Sequence, residues 1–228
     1  MGGMHGNEQL GIALVRLLKE QPILGVQTVI GNPRAVKAKK RFTESDLNRS
    51  FGGQKGTYET RRAQRLAKLA ASFDVVLDFH NTLTPQNNAA FVGVGCKPTL
   101  FKLCKQFGLR NCVEATYDCI NKYCLNTISI EISVNDTLDD ASYWYQKVAA
   151  LAEIGIAADK GDVAVFRFTR RVTWQEKEAN EYKGWVPFQP LSIADQKEVG
   201  LEGTVVPIFI GSTLTEYYAT LLRKERTQ

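Results

Sequence analysis

Only two histidines occur in the 228 residues, and both stand where reactive side chains are useful. His5 lies in a glycine-rich loop, Gly2-Gly3-Met4-His5-Gly6-Asn7-Glu8, just ahead of a helical pattern. His80 closes a mostly apolar strand-like run and sits in Asp78-Phe79-His80-Asn81-Thr82. In α/β proteins, sites gather at the carboxyl ends of strands and at the starts of the helices that follow. His5-x-x-Glu8 sets an imidazole and a carboxylate about one helical turn apart. A further histidine from a distant strand end would complete the two-histidine, one-carboxylate set of a catalytic zinc, leaving a fourth position for water. Asp78 is two residues from His80, hence on the same side of an extended chain, and can steady it. A lone His-x-x-Glu is common by chance; two such features in one chain carry more weight than either alone.

These residues need elements to hold them. Residues 8–20 place Leu10, Ile12, Val15 and Leu18 at helical spacing. Residues 25–30 read as a strand ending at Asn32-Pro33, and residues 57–71 as a second helix. Residues 73–79, 91–94 and 127–133 read as strands, and 138–158 as a long helix. This alternation points to an α/β layer structure. After Lys160-Gly161 the texture changes to short strand-like runs at 163–168, 172–174, 185–188 and 205–210, with a last helix expected over 215–224. We therefore divide the chain into a zinc-binding α/β unit, residues 1–158, and a β-rich unit, residues 159–228.

Composition excludes several classes. Hydrophobic residues make up 44% of the chain and charged residues 23%, ordinary for a globular protein. No apolar stretch approaches the roughly 20 residues of a membrane span. No leader pattern precedes the first loop, which suggests a cytoplasmic protein. The five cysteines, between Cys96 and Cys124, show no C-x-x-C pair and read as reduced core residues. The net charge of +5 comes from dispersed basic residues without interleaved aromatics, a pattern that suits small anions better than nucleic acid.

Four segments, in order, resemble the aspartoacylase and succinylglutamate desuccinylase family of the zinc carboxypeptidase-like superfamily. They are Gly3-Met4-His5-Gly6-Asn7-Glu8; Asn32-Pro33-Arg34-Ala35; Arg41-Phe42 with Asp46-Leu47-Asn48-Arg49; and Asp78-Phe79-His80-Asn81-Thr82. The D-x-H-N-T form of the last is nearer the aspartoacylase branch. The resemblance implies a central, mostly parallel or mixed sheet flanked by helices, with a small β-rich C-terminal domain. It implies one zinc per chain on His5, Glu8 and His80. Glu131 matches the carboxylate that activates water and protonates the leaving amine, and Arg41 the arginine that polarises the scissile carbonyl. Asn48 and Arg49 match the pair that grips a substrate carboxylate. Tyr117 and Tyr217 match tyrosines that contact substrate, while Arg34 and Asp46 are expected to orient the loop.

The implied activity is hydrolysis of a small acidic N-acyl amino acid. The alternatives are a carboxypeptidase-like peptidase acting on short peptides and an inactive relative that keeps the fold. No nucleic-acid or membrane partner is expected, and a homo-oligomer is compatible with the chain. The same ligands also accept cobalt or nickel.

Two departures stand out. The family carries a hydrophobic strand before the zinc loop, whereas Met1-Gly2-Gly3 is already the loop; a missing strand would expose neighbouring strand edges and loosen His5 and Glu8. Four residues after Tyr117, Asn121 stands where the aspartoacylases have an arginine for a second substrate carboxylate, so preference for N-acetylaspartate is not implied.

Overall fold

The computed structural model describes residues 1–53, 56–82, 84–86, 88–134, 140–157, 162–180, 182–212 and 215–228. Seven strands form one mixed sheet in the order β1-β4-β2-β3-β5-β7-β6. They are β1 (Val76–Asn81), β2 (Ala89–Gly93), β3 (Asn111–Ala115), β4 (Thr127–Ile132), β5 (Ala164–Thr173), β6 (Val205–Ile208) and β7 (Tyr217–Thr227). Pairing is parallel for β1–β4, β2–β3 and β3–β5, and antiparallel for β2–β4, β5–β7 and β6–β7. The expected mixed sheet flanked by helices is present. β5 joins β3 on one side and β7 on the other, so the C-terminal strands extend the same sheet. The division between 158 and 159 lies outside the described residues.

Strand alternation gives the sheet two different faces. Leu77 and Phe79 of β1, with Ile128, Ile130 and Ile132 of β4, point into the main apolar core. Helices α1 (Gln9–Glu20), α4 (Pro98–Gln106) and α6 (Ala141–Ile154) supply Leu10, Leu14, Leu100, Phe101 and Trp144 to that core. Trp144 meets the Phe79 ring edge-on at 5.7 Å. The opposite face carries Asp78, His80, Ser129 and Glu131 on the same two strands. Farther across, that face turns apolar, with Phe91, Val113, Phe166, Ile208 and Leu222.

The glycine-rich loop is held by close backbone approach. A Cβ on Gly6 would lie 2.1 Å from the Ala35 carbonyl carbon, and one on Gly2 would lie 2.1 Å from the Gly11 carbonyl oxygen. Only glycine lets the loop press against both α1 and α2 (Pro33–Ala38). Asn32 caps α2 by accepting from the Ala35 amide, and Pro33 occupies the first turn, where no N–H is needed. Residues 25–30 form no laddered strand; Gly2 makes single parallel bridges to Ile30 and to Phe79. Under that rung lies an apolar recess of about 420 Å³, lined by Leu14, Leu18, Val26, Leu66 and Val75 among others.

Several expected elements differ. The last helix is a strand: β7 pairs with both β5 and β6, which satisfies backbone groups on both of its edges. Its basic end is used internally, since Arg226 and Arg167 both bind the buried Glu114 carboxylate. The runs at 163–168 and 172–174 are one bulged strand, β5. Residues 185–188 are not a strand, and α4, β3, α7 (Trp174–Asn180) and α8 (Ile193–Glu198) were not expected. Of the five cysteines, all free, Cys104, Cys112, Cys119 and Cys124 are buried in apolar clusters.

Glu59, on α3 (Tyr58–Ala70), is the anchor of the loop that leads to Arg41 and Asp46. Its buried carboxylate accepts from the amide and hydroxyl of Thr43, the amides of Glu44 and Ser45, and the Asn32 side chain. Burial alone would raise its pKa, but these donors outweigh burial and lower it. A carboxylate so favoured stabilises the fold above its unfolded-state pKa, and the contribution disappears as pH falls through the folded-state value. Glu59→Gln should therefore cost about 1–3 kcal/mol at neutral pH and flatten the acid limb of the stability curve. Urea titrations at pH 7 and below pH 4 would check both.

Candidate metal centre and cleft

Three elements converge on one point. His5 comes from the loop before α1, Glu8 stands at the N-cap position of α1, and His80 lies near the end of β1. All three are buried, and one ligand atom from each lies within 4.8 Å of the others. The Nδ1 atoms of both imidazoles face the same carboxylate: His5 Nδ1 is 2.6 Å from Glu8 Oε1, and His80 Nδ1 is 3.0 Å from Glu8 Oε2. The outer nitrogens are taken by other carboxylates. His5 Nε2 is 3.0 Å from Asp46, and His80 Nε2 is 2.7 Å from Asp78.

That donor set fits a zinc ion. Two imidazoles turn the same nitrogen inward, and each hands its other N–H to an acid that fixes ring orientation and raises ligand basicity. The electrostatics of the centre favour positive charge on it. Burial works against charge on His5 and His80, yet the surrounding carboxylates prevail and raise both pKa values, His80 strongly. Glu8 is held well below the usual carboxylate range by His5 and His80, and Asp46 by His5, Arg41 and Arg49, each against its own burial. A divalent cation at this position would favour the same charged carboxylates.

Around this centre lies a cleft of about 720 Å³. Glu131 reaches it from β4, in register with His80 on β1. Its pKa is raised, chiefly by burial, with the nearby imidazoles opposing the rise. Arg41 enters from the loop, 3.4 Å from Glu8 Oε1 and 3.5 Å from Asp46 Oδ2. Asn48 and Arg49 occupy a single 3-10 turn, Leu47–Arg49, capped by Asp46. Asn48 Oδ1 accepts from the Ile120 amide at 3.4 Å. The Arg49 guanidinium stacks on the Tyr117 ring at 4.3 Å. Tyr217, at the start of β7, also lines the cleft.

All the expected site residues thus share one cleft or its centre. Asp46 does more than orient the loop, because it binds the first histidine directly. Arg34 stays outside, stacked on Tyr58 at 4.1 Å and close to Glu44. Asn121 is turned away from the cleft: its Nδ2 donates to the carbonyls of Phe91 and Thr127, and its Oδ1 accepts from Ser129. Arg171 and Glu59 were missed. Arg171 sits among the alternating polar residues of β5 with no motif around it, and Glu59 sits on the first turn of α3, where an acid is ordinary.

Residues 1–166 match the succinylglutamate desuccinylase/aspartoacylase catalytic domain. A probable aspartoacylase of Nostoc sp. is 27% identical over 92% of this chain and 89% of that protein. An N-acyl-aromatic-L-amino acid amidohydrolase (carboxylate-forming) of Rattus norvegicus is 33% identical, over 48% of this chain and 41% of its own length. Among solved structures, murine aminoacylase 3 superposes with a TM-score of 0.74 at 22% identity, covering 100% of this chain and 94% of that one. The succinylglutamate desuccinylase from Chromobacterium violaceum also gives 0.74, at 15% identity, over 99% and 83%. At those identities the two structures speak for the fold.

Elemental analysis of the purified chain should find about one zinc per chain, and His5→Ala should lose it. Asp78→Asn should keep the fold but weaken zinc binding by about 10–100-fold in a chelator competition. Unchanged affinity would show that His80 needs no such support.

Proposed function

Because the chain belongs to the succinylglutamate desuccinylase/aspartoacylase family, we propose that it is a zinc-dependent hydrolase of the amide bond in a small acidic N-acyl amino acid. The observation that carries this reading is the pairing of a triad able to hold a metal with a half-buried carboxylate of raised pKa, Glu131, in one cleft. His5, Glu8 and His80 would hold the ion, which would polarise the amide carbonyl and bring a water's pKa toward neutrality.

The chain's own residues do the rest. Glu131 takes a proton from the attacking water and delivers it to the departing nitrogen. Burial, which raises its pKa, favours its keeping the proton between the two transfers. Arg41, fixed beside Glu8 and Asp46, directs its cation at the carbonyl oxygen as negative charge grows there. Asn48 and Arg49 hold the carboxylate of the amino acid. The guanidinium of Arg49 supplies a planar fork, and Tyr117 beneath it limits the orientations of that fork.

In this reading residues 1–158 supply the metal ligands and the proton carrier, and residues 159–228 close the cleft. Phe168, Ile208 and Tyr217 of the C-terminal strands line it, which favours a small substrate over the long peptide of a carboxypeptidase. We place the enzyme in the cytoplasm, a reading supported by five cysteines that remain thiols.

Glu131→Gln should retain zinc and lose nearly all turnover of N-acyl amino acids; a variant with wild-type kcat would remove Glu131 from the mechanism. Arg49→Ala should act mainly on KM for acidic substrates, and steady-state kinetics showing KM unaltered would take the carboxylate away from Arg49.

A further inference from the structure

Away from the cleft, a surface recess between two helices is walled by four guanidiniums. It measures about 230 Å³ and is lined by Arg34 of α2 and by Tyr58, Arg61, Arg62 and Arg65 of α3. None of these five residues lines the cleft around the metal centre. Arg34 belongs to the Asn32-Pro33-Arg34-Ala35 motif, and the hydrolytic reading gives it no task.

Three of the four cations are held by neutral partners, which fix their position and leave their charge uncancelled. Arg62 is half-buried and donates from Nε to the Gly31 carbonyl and from Nη2 to the Ile30 carbonyl, each at 2.7 Å. Arg61 donates from Nη1 to the Gly56 carbonyl at 2.8 Å. The Arg34 guanidinium lies over the Tyr58 ring, 4.1 Å from its centre. Glu44 stands 3.5 Å from Arg34, but both side chains are exposed and the carboxylate also accepts from the Tyr58 amide at 2.8 Å, so this ion pair is weak. Among the described residues Arg61, Arg62 and Arg65 make no salt bridge. Arg61 and Arg65 stand four residues apart on α3, a spacing at which like charges destabilise a helix. Glu59, the acid of the first turn, does not relieve them, because it is turned inward to Thr43 and Ser45. An anion in the recess would.

We propose that this recess binds the dianionic phosphoryl group of a small phosphorylated molecule. Each guanidinium offers a planar fork to two phosphate oxygens and keeps its charge at any physiological pH. A phosphoryl group presents three acceptor oxygens in a tetrahedral array, so forks arriving from α2 and α3 can engage it together. A planar carboxylate has two oxygens and meets fewer of them. Because Arg34, Arg61 and Arg62 are already fixed by Tyr58 and by main-chain carbonyls, little side-chain entropy is lost when the anion arrives.

The test is a calorimetric titration of the zinc-loaded protein with inorganic phosphate, at low ionic strength and mildly alkaline pH, where the dianion predominates. Arg61 and Arg65 are exposed, so the double variant Arg61→Gln/Arg65→Gln removes two cations without disturbing the core. Arg16→Gln/Lys19→Gln removes the same charge from the exposed face of α1, and Arg49→Ala alters the cleft. The expected result is saturable binding, weakened at least about tenfold by the α3 pair and left unchanged by the α1 pair and by Arg49→Ala. Equal weakening by the α1 pair would reduce the effect to net charge and overturn the proposal. So would the absence of saturable binding, or a loss caused by Arg49→Ala with the α3 pair silent, which would put the phosphate in the cleft. Acetate bound as tightly as phosphate would overturn the phosphoryl assignment. A single-stranded RNA that binds through Arg61 and Arg65 where inorganic phosphate does not would overturn the small-molecule site in favour of a polyanion surface.

Discussion

Everything in the cleft depends on one buried carboxylate. Glu8 faces two imidazoles at once, and each of those is backed by a further acid, Asp46 or Asp78. Three acids and two histidines packed this closely favour positive charge among them, which a bound cation would supply. This demand explains why the surroundings are so strictly built. Glycines at 2 and 6 allow the backbone crossings that bring His5 to Glu8, and α1 begins just past Glu8, where the helix dipole favours an anion.

The sheet face adds a second level of organisation. Its β1–β4 side presents acids and imidazoles, while its β2–β3–β5–β7 side presents Phe91, Val113, Phe166 and Leu222. A ligand lying across the boundary would meet His80 and Glu131 at one end and a water-excluding wall at the other.

Much of the centre was legible in the sequence because its residues come in short motifs whose spacing is local. Asn32-Pro33 announces a capped helix, and His80 two residues after Asp78 places both on one strand face. The rest was hidden by long-range pairing. β7 carries Leu, Arg, Lys and Glu in a helix-like mixture, and only its pairing with two neighbouring strands makes it extended. Arg171 carries no motif, and only the pairing of β5 brings it to the cleft. Asn121 was legible as a change of charge, but that its side chain would be spent on the sheet was not. Residues 25–30 have strand composition without ladder partners, since Gly2 alone bridges to them.

That single rung has a mechanical consequence. Gly2 is tied to Phe79 on one side and Ile30 on the other by isolated bridges, with an apolar recess below. His5 lies on the loop this rung leads into and Glu8 at the start of α1, whereas His80 is embedded in the sheet. Segments of this kind open locally at a fraction of the free energy of global unfolding. A metal bound between the first loop and the sheet would staple the two together in proportion to its supply. Metal occupancy and resistance to proteolysis at the amino-terminal loop would then be two readings of the same equilibrium.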